Sequence, residues 1–471
     1  MRTVTLRLAC IAPFLVSLAV ACSDDSTEPG AAASDASVDG ASPVDSGGVD
    51  ASAGNDAGTQ SDASTVDSGT DSGPVDAGPV CDVSPCVVEI AVGYRHACAR
   101  LVDGTVRCWG ANQFGSLGAV TAGSDGGFDA SAQATPVAVL GLTDVVSISS
   151  GIYHSCALTN AGAVWCWGAN SSDQIGSPDA GAVFSTPHAL AFSGPVAELV
   201  AGGYRTCVRT TAGNVECVGD NGNGQIGGGD AAPPNAPAQI ATPTAMVGVS
   251  SAVDIDVALR HTCVLAADGG VACVGRNLEG QLGRGDAGGS SSSAAPVSGL
   301  PTMAKLGAMA GNTACAISAV GELHCWGQSS PSTIAPDAST PSQGLPIKVP
   351  GVVSVAEVSG GYFSTCARLS DGGVYCWGDN SAGQIGVPPD AGASFATPTA
   401  IAGLGKALQV SASWDKYVCA LIEGGRVYCW GDNQDGRLGR GEDAAALPVG
   451  DPAAGPLKRS RAVSRGSCPG S

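Results

Sequence analysis

Residues 151–170 read GIYHSCALTNAGAVWCWGAN: Cys156 and Cys166 stand ten apart, Gly162 lies between them, and Trp167-Gly168 follows the second cysteine. The phrase recurs along the chain. Cys98 pairs with Cys108, Cys156 with Cys166, Cys207 with Cys217, Cys263 with Cys273, Cys315 with Cys325, Cys366 with Cys376 and Cys419 with Cys429. The sixth residue after the first cysteine is always glycine: Gly104, Gly162, Gly213, Gly269, Gly321, Gly372 and Gly425. A three-residue hairpin loop needs a left-handed residue in its third place, which glycine adopts without strain. Each pair therefore marks two antiparallel strands. Counting outward from the loop sets the two cysteines opposite one another.

The rest of each unit can be read outward from that hairpin. Trp-Gly follows the second cysteine in five units, while Val218-Gly219 and Val274-Gly275 replace it in units three and four. An Asn with a glycine-rich turn comes next, as in Asp379-Asn380-Ser381-Ala382-Gly383-Gln384-Ile385-Gly386, although unit five departs from this after Gly327. A proline-led strand such as Pro398-Thr399 ends the unit, and an alternating strand such as Val145-Val146-Ser147-Ile148-Ser149 precedes the first cysteine. Four short strands repeating every 51 to 58 residues are the content of a propeller blade. Composition agrees: 69 Gly, 14% charged residues and 4% aromatics fit neither a helical bundle nor a coiled coil.

These units resemble the regulator of chromosome condensation repeat, with paired cysteines standing where that family has packing residues. The resemblance covers residues 87–450, most weakly in unit five, and implies an all-β, seven-bladed propeller within residues 81–471: a rigid disc with loops on two faces. The family's nuclear namesake exchanges guanine nucleotide on a small GTPase and binds chromatin. An exported relative inhibits β-lactamases, so protein binding is the property that transfers best. The first unit lacks a preceding proline-led strand and the last has Leu447-Pro448-Val449 to spare. That strand is expected to complete a blade shared with Val87–Val92. The tail carrying Lys458, Arg459, Arg461 and Arg465 reads as a solvated end.

The N-terminus has its own logic. Arg2 and Arg7 precede an apolar stretch, Leu8 to Ala21, too short to span a bilayer comfortably and ending in small residues. Leu18-Ala19-Val20-Ala21-Cys22 resembles a bacterial lipobox, although Ala19 stands where that pattern prefers Leu. The resemblance implies a signal peptide over residues 1–21 and lipidation of Cys22. Ser23, rather than Asp, after the cysteine favours the outer membrane by the usual sorting rule. A plain secretory signal and an uncleaved membrane helix are the alternatives. Residues 23–80 hold eleven Asp and one Glu but no aromatic, Leu, Ile, Lys or Arg, so they cannot offset the entropy of ordering. They read as a disordered tether with a root-mean-square span of roughly 40–45 Å. Of the net charge of −20, this tether carries −12 and residues 1–22 carry +2, which leaves −10 for the head. An acidic chain is a poor partner for nucleic acid or anionic lipid.

No chemistry-bearing constellation stands out. Export places the thiols in an oxidising compartment, where a cross-hairpin pair fits a bridge; buried reduced thiols are the alternative. Two cysteines per unit without nearby histidines do not make a tetrahedral zinc set. Removing Cys10 and Cys22 leaves 17 of 19 cysteines; beyond the fourteen in the blades stand Cys81, Cys86 and Cys468, an odd number that implies a free or intermolecular thiol. His96, His154 and His261 lie two residues before a first cysteine, where Arg205, Thr313, Ser364 and Tyr417 stand in the other units. Repetition by position reads as structural hydrogen bonding. Arg284-Gly285-Asp286 completes a repeat phrase, and turns such as Asp220-Asn221-Gly222-Asn223 follow turn chemistry rather than a calcium loop. No catalytic residue, metal or cofactor is expected.

One set varies while the strands around it repeat: Tyr94, Arg95, Tyr153, Tyr204, Arg205, Arg260, Tyr362, Phe363, Trp414 and Asp415, just before the first cysteines. Aromatics and arginines dominate binding hot spots, and here they concentrate in a chain poor in aromatics. The alternatives are that several pack between blades, or that binding uses the interblade loops around Phe128, Phe184 and Pro233. The expectation is a monomeric, non-enzymatic propeller, attached to the membrane only through its lipid, that binds a protein or a surface polymer. Nucleotide exchange, or a propeller lyase or glycosidase, is the alternative.

Overall fold

The computed structural model describes residues 81–119, 130–177, 183–229, 238–309, 311–329, 334 and 342–440. The signal segment, Cys22, the acidic tether, Phe128, Pro233, Leu447–Val449, the basic tail and Cys468 lie outside the described residues.

Each hairpin forms where the cysteine spacing predicts it. Gly162 turns the chain at φ +79°, and its six equivalents lie between +77° and +89°. Cys156 then faces Cys166, and the other six pairs face each other in the same register. All seven are disulfides with Cα–Cα distances of 4.1 Å. Cys98 is bonded to Cys108, Cys156 to Cys166, Cys207 to Cys217 and Cys263 to Cys273. Cys315 is bonded to Cys325, Cys366 to Cys376 and Cys419 to Cys429. These are the expected pairs, and all fourteen residues are buried. An eighth bridge joins Cys81 to Cys86, two of the three cysteines that the repeat leaves over.

Four antiparallel strands in chain order make a blade, as in Val87–Val92, His96–Leu101, Val106–Gly110 and Gln133–Ala138. Five blades have this form; blade six has the same four strands and gains the short parallel strand Ala308–Met309, and blade seven has three described strands, Ala407–Ala412, Tyr417–Ile422 and Arg426–Gly431. First strands of successive blades neighbour one another around the axis, while fourth strands face solvent. The core is divided into seven clusters, each shared by two adjacent blades. The Trp of the Trp-Gly phrase drives this packing. Trp167 is fully buried and its indole donates to the Ser116 carbonyl of the preceding blade at 2.9 Å; Trp326 and Trp430 do the same to Gln281 and Gln384 at 3.0 Å. Gly118, at φ +62°, sits against that indole, where a Cβ would lie 2.9 Å from Nε1. The recurring Asn folds each turn through its side chain: Asn170 Oδ1 accepts from the Ile175 N–H at 2.9 Å, and Asn221 from Ile226 at 3.0 Å.

Val87–Val92 is the innermost strand of a blade with four described strands, and Leu447–Val449, expected to share that blade, lies outside the described residues. Among the described residues, blades seven and one meet through side-chain and backbone contacts. Gln409 brackets Ile90, accepting from its N–H at 2.8 Å and donating to its carbonyl at 2.9 Å. The Tyr417 hydroxyl donates to the His96 carbonyl at 2.7 Å, and the Trp109 indole to the Arg437 carbonyl at 2.9 Å. Ile90, Trp109, Tyr417 and Leu438 share one buried cluster there. The Cys81–Cys86 loop adds a clasp: Asp82 pairs with Arg426 at 2.7 Å and its N–H donates to the Gly424 carbonyl at 3.3 Å.

Candidate binding site

The link from first to second strand brings the residues before each first cysteine to one end of the ring. Backbone bonds tie neighbouring links together: Tyr94 N–H donates to the Ile152 carbonyl (3.3 Å), Ile152 to Gly203 (3.0 Å) and Leu259 to Gly311 (3.2 Å). Their side chains enclose a cavity of about 700 Å³ at the mouth of the ring. Eight of the ten sequence-predicted residues line it: Tyr94, Tyr153, Tyr204, Arg260, Tyr362, Phe363, Trp414 and Asp415.

Tyr94, Tyr153 and Tyr204, from blades one to three, form a continuous aromatic wall, with centroids 5.6 Å and 6.3 Å apart. Tyr362 and Phe363 of blade six, 4.7 Å apart, face that wall across the ring. Trp414 is 7% exposed and packs with Ile152 in one cluster, reaching from blade seven to blade two. Burial raises the phenol pKa of Tyr153 and Tyr204, so both stay neutral and keep their O–H donors. Asp415 is held by the buried Arg437 guanidinium at 2.8 Å, which also meets Asp432 and Asp435 at 3.4 Å.

Arg95 is at the rim rather than in the lining. Its guanidinium lies 5.1 Å from the Tyr94 ring centroid and 3.7 Å from Asp435. Arg205 is a correction: it is fully buried and faces away from the cavity. Its guanidinium donates to the carbonyls of Ala258 (2.6 Å), Leu259 (3.0 Å) and His261 (3.0 Å), so it fastens blade three to blade four. It occupies the same place in the repeat as the three histidines, two of which also bond across a blade interface. His96 Nε2 lies 2.8 Å from Ser155 Oγ, and His154 Nε2 lies 3.1 Å from Thr206 Oγ1, each across a blade interface. Burial pushes the pKa of His96 and His261 down to about 3 and that of His154 to about 4.

The remaining four lining residues are Ile152, Leu259, Asp220 and Asn223, the last two of which read in the sequence as turn residues rather than binding residues. The first two belong to the same links. Asp220 and Asn223 come from the turn after the third strand of blade three, and the pairing of Arg205 with Gly219 carries them back beside Tyr204. That register follows from the cysteine pair, so the signal was present in the spacing. Phe184, expected in an interblade loop, lies instead in the fourth strand of blade two, Val183–Leu190, partly buried against the interface of blades two and three.

The comparisons with known proteins agree with this architecture. Profiles of the regulator of chromosome condensation (RCC1) repeat match residues 87–116, 145–174, 355–384 and 408–437, and in a second form 103–158, 371–420 and 424–452. The chain is 27% identical over 366 residues to the ultraviolet-B receptor UVR8 of Arabidopsis thaliana, covering 76% of this chain and 79% of that protein. Yeast RCC1 (Prp20), solved bound to Kap60, superposes with a TM-score of 0.60 at 20% identity, over 70% of this chain and 78% of its own; a further structure of Prp20p concerns its binding to Gsp1p and histones. Human WBSCR16 also gives a TM-score of 0.60 at 20% identity, over 71% of this chain and 87% of its own. The repeat phrase, the blade topology and these likenesses together show a seven-bladed β-propeller whose units match the RCC1 repeat in blades one, two, six and seven.

Proposed function

We propose that the protein is a protein-binding module whose partner docks on the cavity at the mouth of the ring. The observation that carries this is the gathering of four of the chain's seven tyrosines, with Phe363 and Trp414, around one cavity. A ring fixed by disulfides and interblade bonds holds such anchors at little entropic cost when a partner docks. Prp20, of the same fold, is itself a protein that engages other proteins. Nucleotide exchange is a family relation, and the export signal expected over residues 1–21 weighs against it. In the same proposal, Cys22 is lipidated and residues 23–80 tether the head to the cell envelope, with the outer membrane as the expected site.

The test is capture from envelope extracts with the mature chain. A specific partner recovered by the wild type should be lost with Tyr153→Ala and Tyr362→Ala, each weakening binding by about 1–2 kcal/mol at an unchanged Tm. Unchanged capture by both variants would remove the site. Labelling with a radioactive fatty acid checks the anchor: incorporation should disappear in Cys22→Ser, and persistent incorporation there would place the lipid elsewhere.

A further inference from the structure

Resting on the assignment of the cavity as the docking site, we propose that it receives a cation: the lysine or arginine side chain of the partner protein. Aromatic rings present electron-rich faces that attract ammonium and guanidinium groups. Two of the protein's own cations already lie over rings of this set, Arg95 over Tyr94 at 5.1 Å and Lys416 Nζ over Phe363 at 5.7 Å.

Asp220 supplies the charge complement. Its place in the repeat, directly after the glycine that follows the Trp or Val, is charged in four units. Arg276 pairs there with Glu279 at 2.7 Å, Asp379 with Lys416 at 3.6 Å and Asp432 with Arg437 at 3.4 Å. Asp220 has no ion-pair partner among the described residues. Among the described residues it accepts from the Gly222 N–H at 3.1 Å and the Gln225 amide at 2.7 Å. Its field also reaches Arg205, which is buried and bonded to carbonyls. Units one and two carry Ala111 and Ala169 at this place, so the fold itself does not require a carboxylate there. Of the other two charges in the lining, Asp415 is already held by Arg437, and Arg260 is exposed at the rim. An acidic chain also steers a basic partner toward it.

The experiment is a tryptophan-fluorescence and calorimetric titration of the mature chain with three probes: Nα-acetyl-lysine methylamide, Nα-acetyl-norleucine methylamide, which keeps the four-carbon stem but lacks the ammonium, and maltose. The lysine probe should bind about tenfold more tightly than the norleucine probe. Asp220→Ala should weaken it about threefold to tenfold, and Arg260→Gln should strengthen it, with Tm followed for both variants. Equal binding of the two amides, binding of maltose in preference to lysine, or tighter binding after Asp220→Ala would overturn the proposal. Absence of binding by the lysine probe would also overturn it. Partner capture that still depends on Tyr153 and Tyr362 would then leave the docking site standing without a cationic occupant. Loss of that dependence as well would remove both.

Discussion

The residue two places before each first cysteine shows how a side chain is selected for the seam between blades. His96, His154 and His261 are buried and neutral, and Arg205 spends its donors on three carbonyls. Neutral burial has a consequence for pH. In the unfolded chain these imidazoles take up protons near pH 6.5, whereas in the fold they do so only near pH 3–4. The unfolded state therefore binds more protons throughout that window. Stability is full above about pH 6.5 and falls by about 1.4 kcal/mol per pH unit for each histidine as the pH drops. Glu198 acts in the opposite sense, because burial and the neighbouring Asp254 raise its pKa. Comparison with His154→Gln isolates the imidazole. Urea midpoints between pH 7.5 and 5 should fall less steeply in that variant than in the wild type. Parallel pH profiles would mean that His154 takes up its proton equally in the folded and unfolded states.

At the scale of the element, the hairpin was fully legible, because its register depends only on a loop glycine and a pair of cysteines. The seven observed disulfides are those the spacing names. Replacing Cys207 and Cys217 together with Ala should lower stability by roughly 2.5–3 kcal/mol on the chain-entropy estimate. Peptide mapping without reduction should recover all seven pairs and Cys81–Cys86, and free thiols at several of these positions would contradict the fold as described. Blade phase was less legible. The repeat can be cut before or after its proline-led strand with the same periodicity, and what decides is strand pairing: Cys108 faces Val137 and Arg107 faces Ala138, which puts that strand in the blade before it in the chain. The same limit applies to the site. Residues that vary just before the first cysteines were visible as a group, but Asp220 joins them only through strand pairing. Arg205 could have been sorted correctly, since it shares its place in the repeat with three histidines that were read as structural.

At the scale of the molecule, the two ends of the ring differ. Links between first and second strands, with their aromatic and charged side chains, lie at one end. The hairpin loops around Gly104, Gly162 and Gly213 lie at the other, because the second strand runs from one end to the other. The apolar core is spread over seven interblade clusters and the sheets are cross-linked, so neither end needs to rearrange for a partner to dock. Hydrogen exchange of the mature chain, measured by mass spectrometry with and without its captured partner, tests this account most directly. The account predicts slowed exchange in the links around residues 93–96, 151–154, 202–205, 258–261, 361–364 and 413–416, with the opposite hairpin loops unchanged. Protection confined to the loops around Gly104, Gly162 and Gly213 would contradict it.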